Sequence, residues 1–463
     1  MEESMDTTLD PTVNPQSPGR AGGTPQADPS AVRRAAWAGL IGTTLEQYDF
    51  VIYGTASALI FNTLFFPNIS PAAGILASFS AYAVGFLARP LGGLFFSRYG
   101  ERLGRKWVLV ATLMLMGGAT LGIGLLPTYS QVGLLAPALL VACRFFQGFG
   151  AGAEQSGGAT LLTETAQIGR RGRLAALVMT GAALGTALGA VAWIAAQLLP
   201  EEQLMSWGWR LVFISSLLVT VAAFVIRRKL TESPVFQELK EQHQVPKTPV
   251  KEIFANGKKP LFIVMFMTIG ISAQSYIYQV FMASYLKNDV HVDPTFIPKV
   301  LLVGAICGGI AAYGFGRLSD RVGRKPVYIS IVIALIILPV PTFLALNTGS
   351  HLLITMAMIV GFILACQGAV GVTMSYFPEI FGSRYRYAGV TLGREFASIF
   401  GGGVAPLICA ALVTAFSGSW IPVAVYMIVM AVTVLIASAM APETRDRDLT
   451  LAANATDREV TAA

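Results

Sequence analysis

Long apolar runs separated by short polar turns make up most of this chain, and twelve of them approach the roughly 20 residues that a helix needs to cross a bilayer. They fall near 35–62, 72–96, 107–127, 132–154, 174–198, 208–227, 260–286, 297–316, 326–346, 352–376, 388–415 and 419–440. The longest connection, Arg228 to Lys259, is polar and basic and divides the runs six and six. The pattern predicts an all-α integral membrane protein with twelve transmembrane helices in two pseudo-symmetric six-helix bundles. Residues 33–227 form the first bundle, 228–259 a cytoplasmic linker and 260–441 the second bundle. Residues 1–32 are rich in Pro, Gly, Ser and Thr and lack a basic n-region and an apolar core. They read as a disordered cytoplasmic tail and not as a signal peptide, and residues 442–463 read as a second such tail.

One turn occurs twice. Glu101-Arg102-Leu103-Gly104-Arg105-Lys106 returns 219 residues later as Asp320-Arg321-Val322-Gly323-Arg324-Lys325. Two helices joined by so few residues need glycine where the backbone bends sharply. The basic residues hold the turn at the headgroup level, and the acidic one can pair with an arginine or a neighbouring helix N-terminus. A repeated turn of this kind suits a latch that breaks when helices move.

Composition sharpens the picture. With 54% hydrophobic and 13% charged residues, the chain falls far below the roughly 25% charge of a soluble domain. The net charge of +7 does not point to nucleic acid, because the basic residues sit in alternate short loops. Arg33-Arg34, Arg98 to Lys106, Arg170 to Arg173, Arg227 to Lys259, Arg317 to Lys325, Arg384 to Arg386 and Arg445 to Arg447 all fall on one side. That side is cytoplasmic by the positive-inside rule, which places both termini there. Cys143, Cys307, Cys366 and Cys409 each lie in an apolar run and read as small buried thiols. The three histidines are too scattered to share a metal, so neither a metal nor a cofactor is expected. No catalytic constellation suggests an enzyme.

Chemistry must then lie with ionisable residues inside the runs: Glu46, Asp49, Arg89, Arg144, Glu154, Arg394 and Glu395. Each costs about 2.5–3.5 kcal/mol at a helix centre on insertion scales, so they should line a cavity or pair. Asp49 and Arg144 lie at matching depth, near the middle of the first and fourth spans, with Glu46 one turn away. A carboxylate whose proton depends on a nearby arginine is what proton coupling needs; the alternative is a fixed ion pair for packing. Arg89 has no acid on its own helix, and either captures a substrate carboxylate or snorkels to the headgroups. Glu154, Arg394 and Glu395 are candidate gate pairs. Gln274, Ser275, Tyr276, Tyr278 and Gln279 make the seventh span polar, with Gln274 and Tyr278 expected to contact substrate. Gly148, Gly150 and Gly152, and Gly181, Gly185 and Gly189, mark faces for close helix packing.

The repeated turn resembles the signature loop of the major facilitator superfamily, departing in its first copy at Ser97 and Glu101. Further motifs resemble the metabolite:proton symporter family within it. They are Tyr48-Asp49-Phe50, Tyr53-Gly54, Arg89-Pro90-Leu91-Gly92-Gly93, Arg144 with Gln147-Gly148, Trp207-Gly208-Trp209-Arg210, Glu232-Ser233-Pro234 and Arg384-Tyr385-Arg386-Tyr387. The resemblance implies a monomeric transporter in a bacterial-type cytoplasmic membrane, driven by the proton gradient. Its substrate would be a small organic acid of the shikimate, dicarboxylate or 2-oxoglutarate kind. A proton-driven exporter, or uptake of a proline- or betaine-type solute, is the alternative, and a non-transporting sensor fits poorly. By similarity the proton-coupling roles fall on Asp49 and Arg144. Gln47, Ala153, Gln155 and Arg394-Glu395 depart from the family pattern and change the aromaticity and charge expected of the cavity.

Overall fold

The computed structural model describes residues 29–457, apart from 104, 153–162, 164, 165, 167, 168, 229–248, 384, 450 and 452. Apolar sequence in a bilayer has to satisfy its backbone polar groups internally, and helices do so. The first six long helices are α1 (Pro29–Leu59), α2 (Pro71–Leu103), α3 (Arg105–Gly124), α4 (Leu135–Ala151), α5 (Arg171–Ala196) and α6 (Glu201–Val225). The second six are α7 (Lys258–Asn288), α8 (Phe296–Val322), α9 (Arg324–Ile337 with Pro339–Leu346), α10 (His351–Ile380), α11 (Arg386–Ala415) and α12 (Ile421–Met440). The twelve helices form the two six-helix bundles that the run pattern predicts.

Eight of these helices are long and apolar enough to cross a membrane unaided, and α9 is so as a pair bent by 46°. The bend falls where Pro339 removes a backbone donor. The other three fall short for visible reasons. The centre of α1 carries Glu46, Gln47 and Asp49, while the apolar parts of α3 and α4 are only Val110–Gly124 and Leu135–Ala151.

Glycine sets how closely helices meet. A Cβ on Gly148 would stand 1.9 Å from the Gly85 carbonyl oxygen, and one on Gly152 1.9 Å from that of Arg89. So α2 and α4 pack backbone to backbone, which fixes the roots of Arg89 and Arg144. Gly181 and Gly185 of α5 meet the Leu40 and Thr44 carbonyls of α1 in the same way. Between bundles, α5 and α8 share a seam of small residues in which Gly309 faces Ala183 and Gly316 faces Ala176. Three helices of the second bundle widen by one π-helical turn, at Ile277–Phe281 in α7, Phe362–Gly368 in α10 and Ile399–Gly403 in α11.

The ends of the helices that carry the basic turns form one face of the molecule. There the Asp320 carboxylate accepts the Gly172 and Arg173 backbone N–H groups, at 2.7 and 3.0 Å, where α5 of the other bundle begins. Arg324 holds Asp320 at 2.7 Å and the buried Glu379 at 3.1 Å. Gly323, at φ +121°, makes the turn between α8 and α9 in a conformation that side-chain residues rarely adopt. Arg321 lies in the last turn of α8, and its carbonyl accepts from Arg445 at 2.7 Å. For the first copy of the turn, Gly104 and the side chains of Glu101, Arg102 and Arg105 lie outside the described residues, as does Glu154.

The stretch after Pro442 corrects the expectation of a disordered tail. Asn454 is buried, and its amide oxygen accepts from the Tyr385 hydroxyl at 2.8 Å and the Gly382 N–H at 3.2 Å. Its amide nitrogen donates to the Asn256 carbonyl at 3.0 Å, tying in the short helix Pro249–Asn256. Arg447 donates to the Glu379 and Ala453 carbonyls, and Arg386 to that of Leu449 at 2.7 Å. This segment is held by polar groups that satisfy loop carbonyls, so its low hydropathy concealed its packing.

Candidate functional site

A polar cavity of about 80 Å³ lies between the bundles. Its wall takes Gln47 from α1, Arg89 from α2, Ser275 and Gln279 from α7, Gln367 from α10 and Glu395 from α11. Around it, α7, α10 and α11 contribute residues from or beside their π-helical turns, the kind of distortion that gathers at functional sites.

Arg89 organises this wall. It is only 3% exposed, so it does not snorkel, and it is not free. Its Nη1 donates to Glu46 Oε1 at 2.6 Å, its Nε to Glu395 Oε2 at 2.7 Å and its Nη2 to Glu395 Oε1 at 3.3 Å. Glu46 and Arg89 belong to the first bundle and Glu395 to the second, so the cluster bridges the two. Arg394, beside Glu395 on α11, also lines the cavity. Gln47 Nε2 donates to Gln279 Oε1 at 2.7 Å, a second bridge from α1 to α7. At the face away from the basic turns, Lys287 Nζ donates to the Leu59 carbonyl, and Gln197 to that of Pro294 at 3.1 Å. Hydrogen bonds therefore join the bundles on both sides of the cavity.

Asp49 and Arg144 do meet at one depth, both fully buried, but not as an ion pair. Neither Asp49 oxygen has a hydrogen-bond partner, although Thr120, Gln147 and Arg144 surround it. The Arg144 guanidinium instead lies over the rings of Phe50, Tyr53 and Tyr82, at 4.2, 4.5 and 4.6 Å from their centroids. It also donates to Gln147 Oε1 at 2.5 Å and to the Tyr82 carbonyl at 3.3 Å. Gln147 in turn donates to Thr120 at 2.7 Å. Three aromatic faces and two oxygens hold the cation that the carboxylate was expected to hold. Neither Asp49 nor Arg144 lines the cavity; of the rings around them, Phe86 and Tyr276 reach its wall.

Gln274 and Tyr278 turn away from the cavity. Gln274 donates to the Met427 carbonyl on α12 at 2.6 Å, and Tyr278 shares a 2.9 Å bond with Thr342 on α9. Four residues apart, they share the face of α7 that packs into its own bundle, while Ser275 and Gln279 share the cavity face. Glu379 was missed altogether. It is fully buried at the end of α10, accepting from Arg324 and from Thr444 at 2.7 Å. The one signal for it was a Pro-Glu pair closing an apolar run.

Two helical bundles around a polar cavity, with buried charges bridging them, define a membrane transporter of the alternating-access kind. A family model described as Major Facilitator Superfamily matches residues 40–393. The Shikimate transporter of Escherichia coli (strain K12) is 36% identical over 408 residues, covering 86% of this chain and 92% of that protein. The Proline/betaine transporter of Salmonella typhimurium (strain LT2) is 32% identical over 435 residues, covering 91% and 86%. Among solved structures, the xylose transporter XylE from E. coli, in a partially occluded inward-open conformation, superimposes with a TM-score of 0.69. That match has 19% identity and covers 91% of this chain and 100% of XylE. The chain belongs to the Major Facilitator Superfamily, and its relatives bear out the resemblance to the metabolite:proton symporter branch.

Proposed function

We propose that this protein takes up a small organic acid together with a proton, by alternating access of the central cavity. The observation that carries the reading is the Glu46–Arg89–Glu395 bridge. It sets a guanidinium suited to a carboxylate at the wall of a polar cavity, on the seam where the bundles must part. The relatives named as transporters of shikimate and of proline or betaine support a small polar solute with at least one carboxylate.

Asp49 carries the transported proton. A buried carboxylate is costly as an anion unless a cation stays close, so the occupancy of Asp49 by a proton answers to the position of Arg144. Glu46 passes charge between this cluster and the cavity. The Asp320 contact with the start of α5 is the latch that opens when the bundles part, and Gly323, Arg324 and Arg321 shape its turn. Glu101, Arg102, Gly104 and Arg105 form the matching latch of the first bundle. The face with the basic turns is cytoplasmic, in a bacterial-type inner membrane, and the driving force is the proton gradient without a cofactor. Each chain holds a complete cavity, so a monomer suffices.

The test is uptake into proteoliposomes of radiolabelled shikimate, 2-oxoglutarate, succinate, betaine and xylose under an imposed proton gradient. Accumulation of one of the acids, abolished by collapsing the gradient, is the expected result. Accumulation of betaine or xylose alone sinks the organic-acid reading. For orientation, cysteines at Gly169 and Gly257 should label from the cytoplasm and one at Asn68 from outside; labelling of Asn68 and Gly257 from one side refutes it.

A further inference from the structure

Gln47 stands next to Glu46 on α1, at a position where the chain departs from the metabolite:proton symporter pattern. It lines the cavity and is only 7% exposed. The direction of its amide is set by hydrogen bonds that start on the other bundle. The Ser275 backbone carbonyl can only accept, and it takes the Cys366 thiol at 3.5 Å and Gln279 Nε2 at 3.4 Å. Gln279 Nε2 also donates to Ser275 Oγ at 2.8 Å. Turning the Gln279 amide over would set its oxygen against that carbonyl, so Oε1 faces α1 instead, where it takes Gln47 Nε2 at 2.7 Å. With its nitrogen committed to Gln279, Gln47 keeps its oxygen for the cavity. Oε1 takes no hydrogen bond from a described residue, yet it is not enclosed.

We propose that Gln47 is a specificity-determining residue. Its Oε1 accepts a hydrogen bond from a hydroxyl on the solute whose carboxylate Arg89 attracts, so the site selects hydroxy acids over the matching keto and unsubstituted acids. The inference rests on the organic-acid reading above and narrows its substrate class.

Glu46 holds Arg89 at 2.6 Å, so the cation and the acceptor are held from neighbouring residues of one helix. A largely buried acceptor discriminates by what it would be left without. A hydroxyl satisfies it, a methylene leaves it unpaired, and a keto oxygen sets acceptor against acceptor. The donor is a hydroxyl and not an ammonium, because the Glu46 and Glu395 carboxylates both pair with Arg89. The groups that orient Gln47, which are Gln279 and through it Ser275, are neutral. Gln279 acts through Gln47 and is a positioning residue: it decides which end of the Gln47 amide meets the solute. Its place in the π-helical turn Ile277–Phe281 of α7 puts it on the cavity wall.

The test is binding to the purified full-length protein by calorimetry at pH 7, where every probe carries its carboxylates ionised. The probes are matched sets: L-lactate with propionate and pyruvate, 2-hydroxyglutarate with glutarate and 2-oxoglutarate, and shikimate with cyclohex-1-enecarboxylate. In the wild type the hydroxylated member of at least one set should bind about fivefold or more tightly than its partners, the worth of one neutral hydrogen bond. In Gln47→Leu, which removes the acceptor, that ratio should fall below about twofold. Gln279→Leu, which lets the Gln47 amide turn either end to the solute, should lower it likewise, and is the second variant should the first not fold. A merely structural role would weaken all members of a set alike and leave the ratio unchanged. A ratio that survives in either folded variant overturns the inference, as does tighter binding of L-alanine than of L-lactate. Binding of the acids to the wild type with no preference for the hydroxyl also overturns it, and in each of these cases organic-acid transport stands. Failure of every acid to bind the wild type overturns both.

Discussion

Glu46 and Asp49 stand three residues apart on one helix, yet their surroundings divide the labour of the protein. Glu46 faces the seam and shares Arg89 with a residue of the other bundle. Asp49 faces inward, ringed by residues of α3 and α4, with a cation nearby that aromatic rings hold. The first cluster is stitched by short charged hydrogen bonds and must break when the bundles part. The second lies inside one bundle, so substrate can move past it without disturbing a single contact of Asp49. A charge between rigid bodies reports on their motion, while a charge within one body reports on local hydration. A transporter that couples two flows needs both.

The comparison is open to direct attack. The largest effect is expected from Arg89→Ala, which strands two buried carboxylates at once. Loss of one partner of a buried pair costs about 3–5 kcal/mol, so the variant should unfold at markedly lower temperature in detergent and show no uptake. Normal melting with retained uptake would mean the bridge is incidental. Asp49→Asn should do the opposite to stability and a comparable thing to function. Neither oxygen of Asp49 accepts a hydrogen bond, so melting should shift little, while accumulation against a gradient is lost and counterflow exchange survives. If accumulation persists, the proton site lies on the seam and the two clusters are not distinct in role.

Smaller effects sharpen the picture further. Asp320→Asn weakens charge-assisted bonds to the start of α5, each worth about 1.5–3 kcal/mol. It should raise the labelling rate of the cavity thiol Cys366 from the basic face, with solute affinity nearly unchanged; an unaltered rate would deny Asp320 a share in closure. Gln47→Leu removes a neutral bridge worth about 1 kcal/mol. A few-fold change in KM with little change in maximal rate is expected, read from initial uptake rates.

Much of this architecture was legible in the sequence because the bilayer imposes a simple rule on it. Runs of apolar sequence marked the twelve helices, glycine spacing marked the packing faces of α4 and α5, and charges inside apolar runs were conspicuous. The shared depth of Asp49 and Arg144 was legible for the same reason. What holds Arg144 was not, because Phe50, Tyr53 and Tyr82 look like any other lipid-compatible residues until they converge on it. Glu395 lies 306 positions from Arg89, and no periodicity reaches across bundles. The polar stretch of α7 offered two faces of equal polarity, and depth alone could not choose Gln279 over Gln274. The folded segment around Asn454 was hidden because hydropathy is blind to a strap held by carbonyls and amides.

The widened turns of α7, α10 and α11 carry a mechanical consequence. A π-helical turn spreads the backbone and loosens its hydrogen-bond ladder, so a helix containing one bends there at lower cost than elsewhere. All three lie beside the cavity and all three belong to the second bundle. The first bundle carries a π-helical turn at Leu204–Gly208, near the start of α6 and off the cavity wall, and is clamped by glycine contacts between α2 and α4 and between α5 and α1. The two halves are related in sequence but unequal in stiffness. One acts as an anvil, and the other yields around whatever is held between them.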